Sequence, residues 1–205
     1  MLIGDNKIDG RVRLTDAQIR KVIHSQIIPG IVANSPSRIV DEMEICCGDA
    51  RVDIAVINGK LHGFEIKSEA DTLARLQGQI SAYNQVFDTM TIICGENHLG
   101  SIVKMIPEWW GIYVAKINFG NIELTRFRCA EINQTVSGLA LAQLLWKSEM
   151  LVLLAEAGIK KGISNKPCRE LWQKVSETFS IETLQSKVRD ILKFRECWRL
   201  DLQQM

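Results

Sequence analysis

The first quarter of the chain has its hydrophobic residues at helical spacing. Thr15 and Gln18 stand at the spacing of a capping box, ahead of apolar residues that recur every three or four positions. We therefore expect a first helix over residues 15–28, which Pro29 and Gly30 would end. A second short helix is predicted after Ser35-Pro36-Ser37, a segment that carries Ile39, Val40 and Met43 together with three acidic residues.

From Arg51 onwards the apolar residues alternate with a period of two, which is typical of strands. Residues 51–57 and 61–67 form two such runs, and Asn58-Gly59 between them predicts a hairpin turn. Further elements follow from the same patterns: a helix over 71–86, a buried strand over 89–94, a helix over 99–106, a strand over 111–117 and an edge strand over 122–127.

After about Gln134 the strand pattern stops, and helices are predicted over residues 140–157, 166–178 and 182–198. The chain is therefore predicted to have an α/β domain at residues 1–133 and a helical region at 134–205. We expect the helical region to bind nucleic acid or a partner protein. Its cations Lys187, Arg189, Lys193 and Arg195 cluster around one helix and are candidates to hold phosphates, although the plain alternative is a solvated helical face.

Composition restricts the function only weakly. The 205 residues carry a formal net charge of +1, so any nucleic-acid surface must be a local patch. The six cysteines show no metal-type spacing, which favours a reducing compartment. Because neither a signal peptide nor a membrane-length apolar run is visible, we expect a soluble, cytoplasmic protein.

The strongest chemical pattern is Glu65-Ile66-Lys67, read together with Asp53 on the preceding strand. Residues two apart share one face of a strand, and the hairpin places Asp53 opposite the Glu65 region. Two carboxylates and a backbone carbonyl are ligands that suit Mg²⁺. The alternative is a solvated charge pair on an exposed strand, but Asp53 stands in an apolar run, where a carboxylate needs a partner or a metal.

This spacing, followed by Gln79 and Tyr83 on the next helix, resembles the PD-(D/E)XK nuclease superfamily. The Gln-x-x-x-Tyr element is similar to that of its RecB-like branch, and the stretch from Glu42 to Cys94 resembles small phage and bacterial members. The resemblance implies a restriction-endonuclease-like α/β core, a mixed central sheet flanked by helices, with an α-helical C-terminal region.

The resemblance also implies a role for each matching residue. Asp53, Glu65 and the Ile66 carbonyl would bind Mg²⁺, for which Mn²⁺ would substitute, and Glu42 would contact a metal-bound water or a second ion. Lys67 would assist the nucleophile, and Gln79 and Tyr83 would face the site. These catalytic and metal-binding candidates are Glu42, Asp53, Glu65, Ile66, Lys67, Gln79 and Tyr83, with Glu44 as the alternative to Glu42.

The function that the resemblance implies is hydrolysis of phosphodiester bonds by a Mg²⁺-dependent nuclease, with DNA as the expected partner and a homodimer as the expected assembly. Arg51, Arg75 and His62 flank the predicted site and are candidates to contact the phosphate backbone. A ribonuclease stays open, since nothing in the sequence indicates recognition of a 2′-hydroxyl. A catalytically inactive nucleic-acid or protein-binding module, or an assembly subunit with a structural acidic cluster, stays open as well.

Overall fold

A computed structural model describes residues 7–8, 11–12, 14–33, 35–196 and 198 of the chain as an α/β protein. Its strands are β1 (Lys7–Ile8), β2 (Arg11–Val12), β3 (Arg38–Ile45), β4 (Ala50–Ile57), β5 (Leu61–Lys67), β6 (Thr89–Gly95), β7 (Gly111–Asn118) and β8 (Asn121–Arg128). Its α-helices are α1 (Asp16–Val22), α2 (Ile28–Val32), α3 (Leu76–Val86), α4 (Leu99–Met105), α5 (Gly138–Ala142), α6 (Lys147–Glu156), α7 (Cys168–Thr178) and α8 (Ile181–Phe194).

Six strands, β3 to β8, form one mixed sheet in which neighbours in space are also neighbours in sequence. The β3–β4, β4–β5 and β7–β8 pairs are antiparallel, whereas β5–β6 and β6–β7 are parallel. Helix α3 connects β5 to β6 and α4 connects β6 to β7, because a parallel pair needs a crossover connection. The sheet and its helices confirm the predicted mixed α/β class.

The two faces of the sheet bury different apolar clusters. Ile54, Phe64 and Ile93 lie on one face and pack against Ile19 and Ile23 from the N-terminal helical segment. The other face packs against α3 and the helices of the second half, in a cluster whose members include Ile57, Tyr83, Ile92, Leu153 and Val188. Helices therefore cover the sheet on both faces.

The N-terminal helical segment starts as predicted but runs further. The Thr15 side chain caps α1 and Gln18 completes the capping box, as the sequence indicates. The segment then continues through a π-helix at Ile23–Ile27 into α2, past Pro29 and Gly30. The prediction that these two residues end the helix is wrong, because a proline in the first turn of α2 needs no backbone N–H of its own.

The predicted second helix is also wrong, since its residues form the strand β3. Alternate side chains Met43 and Ile45 of this strand are buried, while Glu42 and Glu44 are exposed. In isolation the short acidic segment fits both the period of a helix and the period of a strand. Its pairing with β4 along the ladder favours the strand.

Later helices differ from the predictions mainly at their ends. The helix predicted from Asp71 starts at Leu76, and Asp71 instead accepts hydrogen bonds from Ser68. The helix predicted over residues 140–157 is two helices, α5 and α6.

The five described cysteines are free thiols, and Cys197 lies outside the described residues. None of the described helices is both long and apolar enough to cross a membrane.

Asp88 joins the sheet to the helical second half. Its buried carboxylate accepts hydrogen bonds from the backbone N–H of Leu61 at 2.6 Å, from Gln185 Nε2 at 2.8 Å and from Arg189 Nη1 at 2.9 Å. Its backbone carbonyl accepts from the N–H of Asn133 at 2.8 Å. One residue therefore holds β5, α8 and the segment that leads into α5.

We predict that Asp88→Ala lowers the free energy of unfolding by about 3 kcal/mol, because it leaves a partly buried arginine and a strand N–H without their acceptor. Urea denaturation measures the change. Asp190→Ala is the matched control on α8, since the Asp190 side chain is 62% exposed, and it should change the free energy by less than about 0.5 kcal/mol. Equal losses in the two variants would contradict the proposed role of Asp88.

Candidate functional site

The candidate site lies where β4 and β5 separate. Their pairing ends at Ile54 and Phe64, and one step beyond this pair Asp53 stands opposite Glu65. Here the Asp53 side chain replaces the backbone ladder, because its Oδ2 accepts the N–H of Ile66 at 2.6 Å. A side-chain carboxylate thus satisfies a strand N–H that the neighbouring strand no longer reaches.

Glu65 is 1% exposed, and each of its carboxylate oxygens has a donor. Oε1 accepts from Lys67 Nζ and, at 2.7 Å, from Gln79 Nε2. Oε2 accepts from the Tyr83 hydroxyl at 2.6 Å, and the same hydroxyl lies 2.8 Å from the Arg51 carbonyl oxygen. The buried charge is therefore neutralised by one ammonium group and stabilised by two uncharged donors.

Arg20 of α1 contacts the carboxylates of Asp53 and Glu42. Its Nη1 donates to the backbone carbonyl of Asp53 at 2.6 Å, and its Nη2 donates to Asp53 Oδ1 at 3.1 Å and to Glu42 Oε1 at 2.6 Å. Glu42 also binds Arg51 Nε at 2.8 Å. The sequence patterns missed Arg20, because a cation on the polar side of an amphipathic helix has no distinguishing signal.

Glu42 reaches this position by an unusual backbone conformation. Its φ of 56° lies in the left-handed region, and β3 pairs with β4 on both sides of it but not at the Glu42–Asp53 position. This conformation is strained for a residue with a Cβ. Its alternative Glu44 lies opposite Arg51 in the regular part of the ladder.

Burial and the neighbouring charge of Glu65 raise the pKa of Asp53 from its ordinary 3.8 to about 7, although the Ile66 N–H and Arg20 act in the opposite direction. Burial beside Glu65 also raises the pKa of Tyr83, so that its hydroxyl stays a donor. The carboxylates are thus close enough to repel one another, and the surrounding donors hold them together.

The contacts do not fit an open Mg²⁺ site. All four oxygens of Asp53 and Glu65 already accept hydrogen bonds, and the cationic groups of Arg20 and Lys67 stand beside them. Among the described residues, no group of three or more histidine, cysteine, aspartate or glutamate side chains is placed to hold a metal. These contacts argue against the Mg²⁺ and Mn²⁺ binding that the resemblance implies, and a titration with Mg²⁺ tests it.

The structure brings most of the predicted site residues together but separates His62 from them. Asp53, Glu65, Lys67, Gln79 and Tyr83 form one hydrogen-bonded cluster, and Glu42 joins it through Arg20. His62 contacts Thr89 and Thr91 and packs against Phe64 on the opposite face of the sheet. Arg75 is exposed on the segment before α3.

The cationic cluster predicted on the last helix is engaged by acidic side chains. Each of the four cations lies within salt-bridge distance of a carboxylate: Lys187 of Glu156, Arg189 of Asp88, Lys193 of Asp190, and Arg195 of Glu149. The guanidinium carbon of Arg195 also lies 4.3 Å from the ring centroid of Trp146 and 4.8 Å from that of Trp198. These cations therefore serve packing of the helical region more than an open phosphate surface.

Comparison with known proteins identifies the family. The model of the family described as bacteriophage P4 protein cII matches residues 14–199, so the chain belongs to that family. The chain is 27% identical over 161 residues to protein cII of Enterobacteria phage P4, an alignment that covers 78% of this chain and 60% of that protein. The chain thus spans about 60% of the length of this curated relative. No solved structure matches.

This family membership overturns the assignment to the PD-(D/E)XK nuclease superfamily. The predicted Mg²⁺-dependent nuclease activity, and the classification as a hydrolase or endonuclease, are therefore wrong. The expected phage origin agrees with the comparison. The physical reason for the error is that the same carboxylates and lysine that suit a metal site can also neutralise one another inside a fold.

We predict opposite effects of Asp53 and His62 on the pH dependence of stability. The raised pKa of Asp53 adds stability below about pH 4, and this contribution is lost as the pH rises through 7. Burial lowers the pKa of His62 to about 4, so its contribution is present above pH 6.5 and is lost as the pH falls through 4. Asp53→Asn should therefore gain stability relative to the unmodified protein as the pH rises from 4 to 7.

Urea denaturation at several pH values tests this prediction. The difference in free energy of unfolding between Asp53→Asn and the unmodified protein should change by up to about 1.4 kcal/mol per pH unit, which is the limit for the titration of one proton. His62→Gln should change the slope with the opposite sign, and the exposed control Asp190→Asn should leave it unchanged. Parallel pH profiles for Asp53→Asn and the unmodified protein would show that Asp53 titrates normally.

We also predict that Mg²⁺ gives no specific stabilisation, because protein donors already engage the carboxylate oxygens. Thermal unfolding with millimolar MgCl₂ should match unfolding in NaCl of equal ionic strength, and EDTA should have no effect. A saturable rise in melting temperature with Mg²⁺ that Asp53→Asn abolishes would contradict this expectation and establish a metal site.

Proposed function

We propose that this member of the cII family is a non-catalytic nucleic-acid-binding protein that holds the phosphate backbone of DNA. The observation that carries the proposal is a concentration of positive charge in one segment of a nearly neutral chain. Residues 158–178 contain five lysines and arginines and two glutamates, whereas the whole chain has a net charge of +1. Clustered cations supply most of the affinity for a phosphate backbone.

Within this segment, Lys160 and Lys161 stand on the exposed loop between α6 and α7. The loop is flanked by Gly158 and Gly162, which have φ values of 85° and 72°. These left-handed conformations favour glycine, and both lysines between them are exposed. Arg169, exposed in the first turn of α7, adds a third cation.

These three cations differ from those of α8 in having no acidic partner within the described part of the chain. Among the described residues, no carboxylate lies within 4.0 Å of the charged groups of Lys160, Lys161 or Arg169, whereas Lys166 nearby is paired with Glu170. Unpaired exposed cations lose little on binding phosphates, because no internal ion pair has to break.

At the level of fold alone, we infer a restriction-endonuclease-like core. Support comes from the antiparallel order β3–β4–β5, followed by α3 and the parallel strand β6. The inference concerns the arrangement of elements and carries no activity, since one fold hosts unrelated functions.

We predict that the double substitution Lys160→Glu and Lys161→Glu weakens DNA binding by at least about tenfold at low salt, because two phosphate contacts become repulsive. Fluorescence anisotropy with a labelled duplex, and with single-stranded DNA and RNA of the same sequence, measures the affinity. The slope of log affinity against log salt should fall in magnitude by about 2.

Lys60→Glu with Lys104→Glu is the matched control, because it makes the same charge change at exposed positions outside this segment. The control should weaken binding much less. Equal effects of the two double variants, or the absence of binding by the unmodified protein, would overturn the proposal. If the protein binds RNA more tightly than DNA, RNA is the partner instead.

Sedimentation of the complex tests the predicted homodimer.

A further inference from the structure

A cavity of about 450 Å³ lies on the face of the sheet opposite the carboxylate cluster. It is bounded by the N-terminal helical segment on one side and by strands β5 to β8 on the other. Its volume is within the range of sites that hold small molecules. Neither the carboxylate cluster around Asp53 and Glu65 nor the loop that carries Lys160 and Lys161 contributes a residue to it.

The cavity carries uncompensated positive charge. Arg126 and Arg128 of β8 line it, and no aspartate or glutamate lines it among the residues that the structure describes. Arg128 is fixed in place, because its Nε donates to the carbonyl of Trp110 at 2.7 Å and its Nη2 to the carbonyl of Pro107 at 3.0 Å. Carbonyl acceptors orient a guanidinium without neutralising it, so the charge stays available to an anion.

Uncharged polar groups stand on the floor of the cavity. Thr91 and Tyr113 reach it from neighbouring strands, and the Thr91 hydroxyl lies 3.2 Å from His62 Nε2. His62 is also bonded to Thr89 through Nδ1. The imidazole is thus held by two hydroxyl groups, which gives the floor fixed hydrogen-bonding directions.

The remaining wall is apolar. Ile27, Ile31 and Leu124, which are half-buried, line the cavity, and the buried Phe64 also borders it. A strongly hydrated ion alone would gain nothing from this wall, whereas a ligand with an apolar body would bury surface against it. Charge on one side and apolar surface on the other therefore select one class of ligand.

We propose that this cavity binds a small organic anion, with its carboxylate, sulfonate or phosphate group at Arg126 and Arg128 and an apolar, ring-sized body against Ile27, Ile31 and Leu124. The site is independent of the proposed nucleic-acid surface, since the two share no residue. It gives the protein a place where a small molecule can bind the central sheet.

The probe for the test is 1-anilinonaphthalene-8-sulfonate, an aromatic anion whose fluorescence rises in apolar surroundings. The full chain should bind it saturably, and Arg126→Gln should weaken binding by roughly tenfold, the order expected for one charge-assisted hydrogen bond. Arg75→Gln, which removes an exposed arginine outside the cavity, should leave the affinity unchanged. N-phenyl-1-naphthylamine, which lacks the sulfonate, should bind both variants equally.

A second variant tests the apolar wall. Leu124→Trp places a larger side chain at the cavity and should weaken binding of both probes, while thermal unfolding checks that the variant folds. The proposal is overturned by any of three results: no saturable binding of the anionic probe, equal affinity in Arg126→Gln and the unmodified protein, or an equal loss in Arg75→Gln. Competition by duplex DNA would assign the cavity to the nucleic-acid surface instead.

Discussion

The burial of the Glu65 carboxylate constrains much of the structure around it. A charge at this depth is costly unless donors surround it, and the donors come from two elements. Lys67 stands two residues along the same strand, while Gln79 and Tyr83 stand one turn apart on α3. Because Gln79 bonds one oxygen and Tyr83 the other, the carboxylate helps to orient α3 on the sheet.

A second consequence follows at the point where β4 and β5 separate. Asp53 satisfies the N–H of Ile66 with its side chain, and its own carbonyl and carboxylate bind Arg20 of α1. The polar cluster therefore extends from α3 on one face of the sheet to α1 on the other. Two apolar clusters that share no residue are thus coupled through hydrogen bonds at one edge of a hairpin.

The sequence patterns predict this hairpin and its neighbours well, because alternation over seven or eight residues and an Asn-Gly turn leave few alternatives. They fail at β3, where a short acidic segment fits both periods, and at α2, where proline occupies a permitted position. Gln79 and Tyr83 are predictable from their spacing, whereas Arg20 is not. The carboxylate and lysine pattern also cannot reveal whether those groups face a metal or one another, since that depends on the donors that the fold supplies.

The division of the core between two faces has a consequence for synthesis on the ribosome. The helices that cover Ile54 and Phe64 precede the sheet in the chain, so this face can close as its strands emerge. The opposite face is covered in part by α3 and is completed only by α5 to α8, which follow the last strand. At translation rates of about 5–20 residues per second, those roughly 60 residues take several seconds to appear. During that interval an apolar surface stays open to chaperones and to other nascent chains.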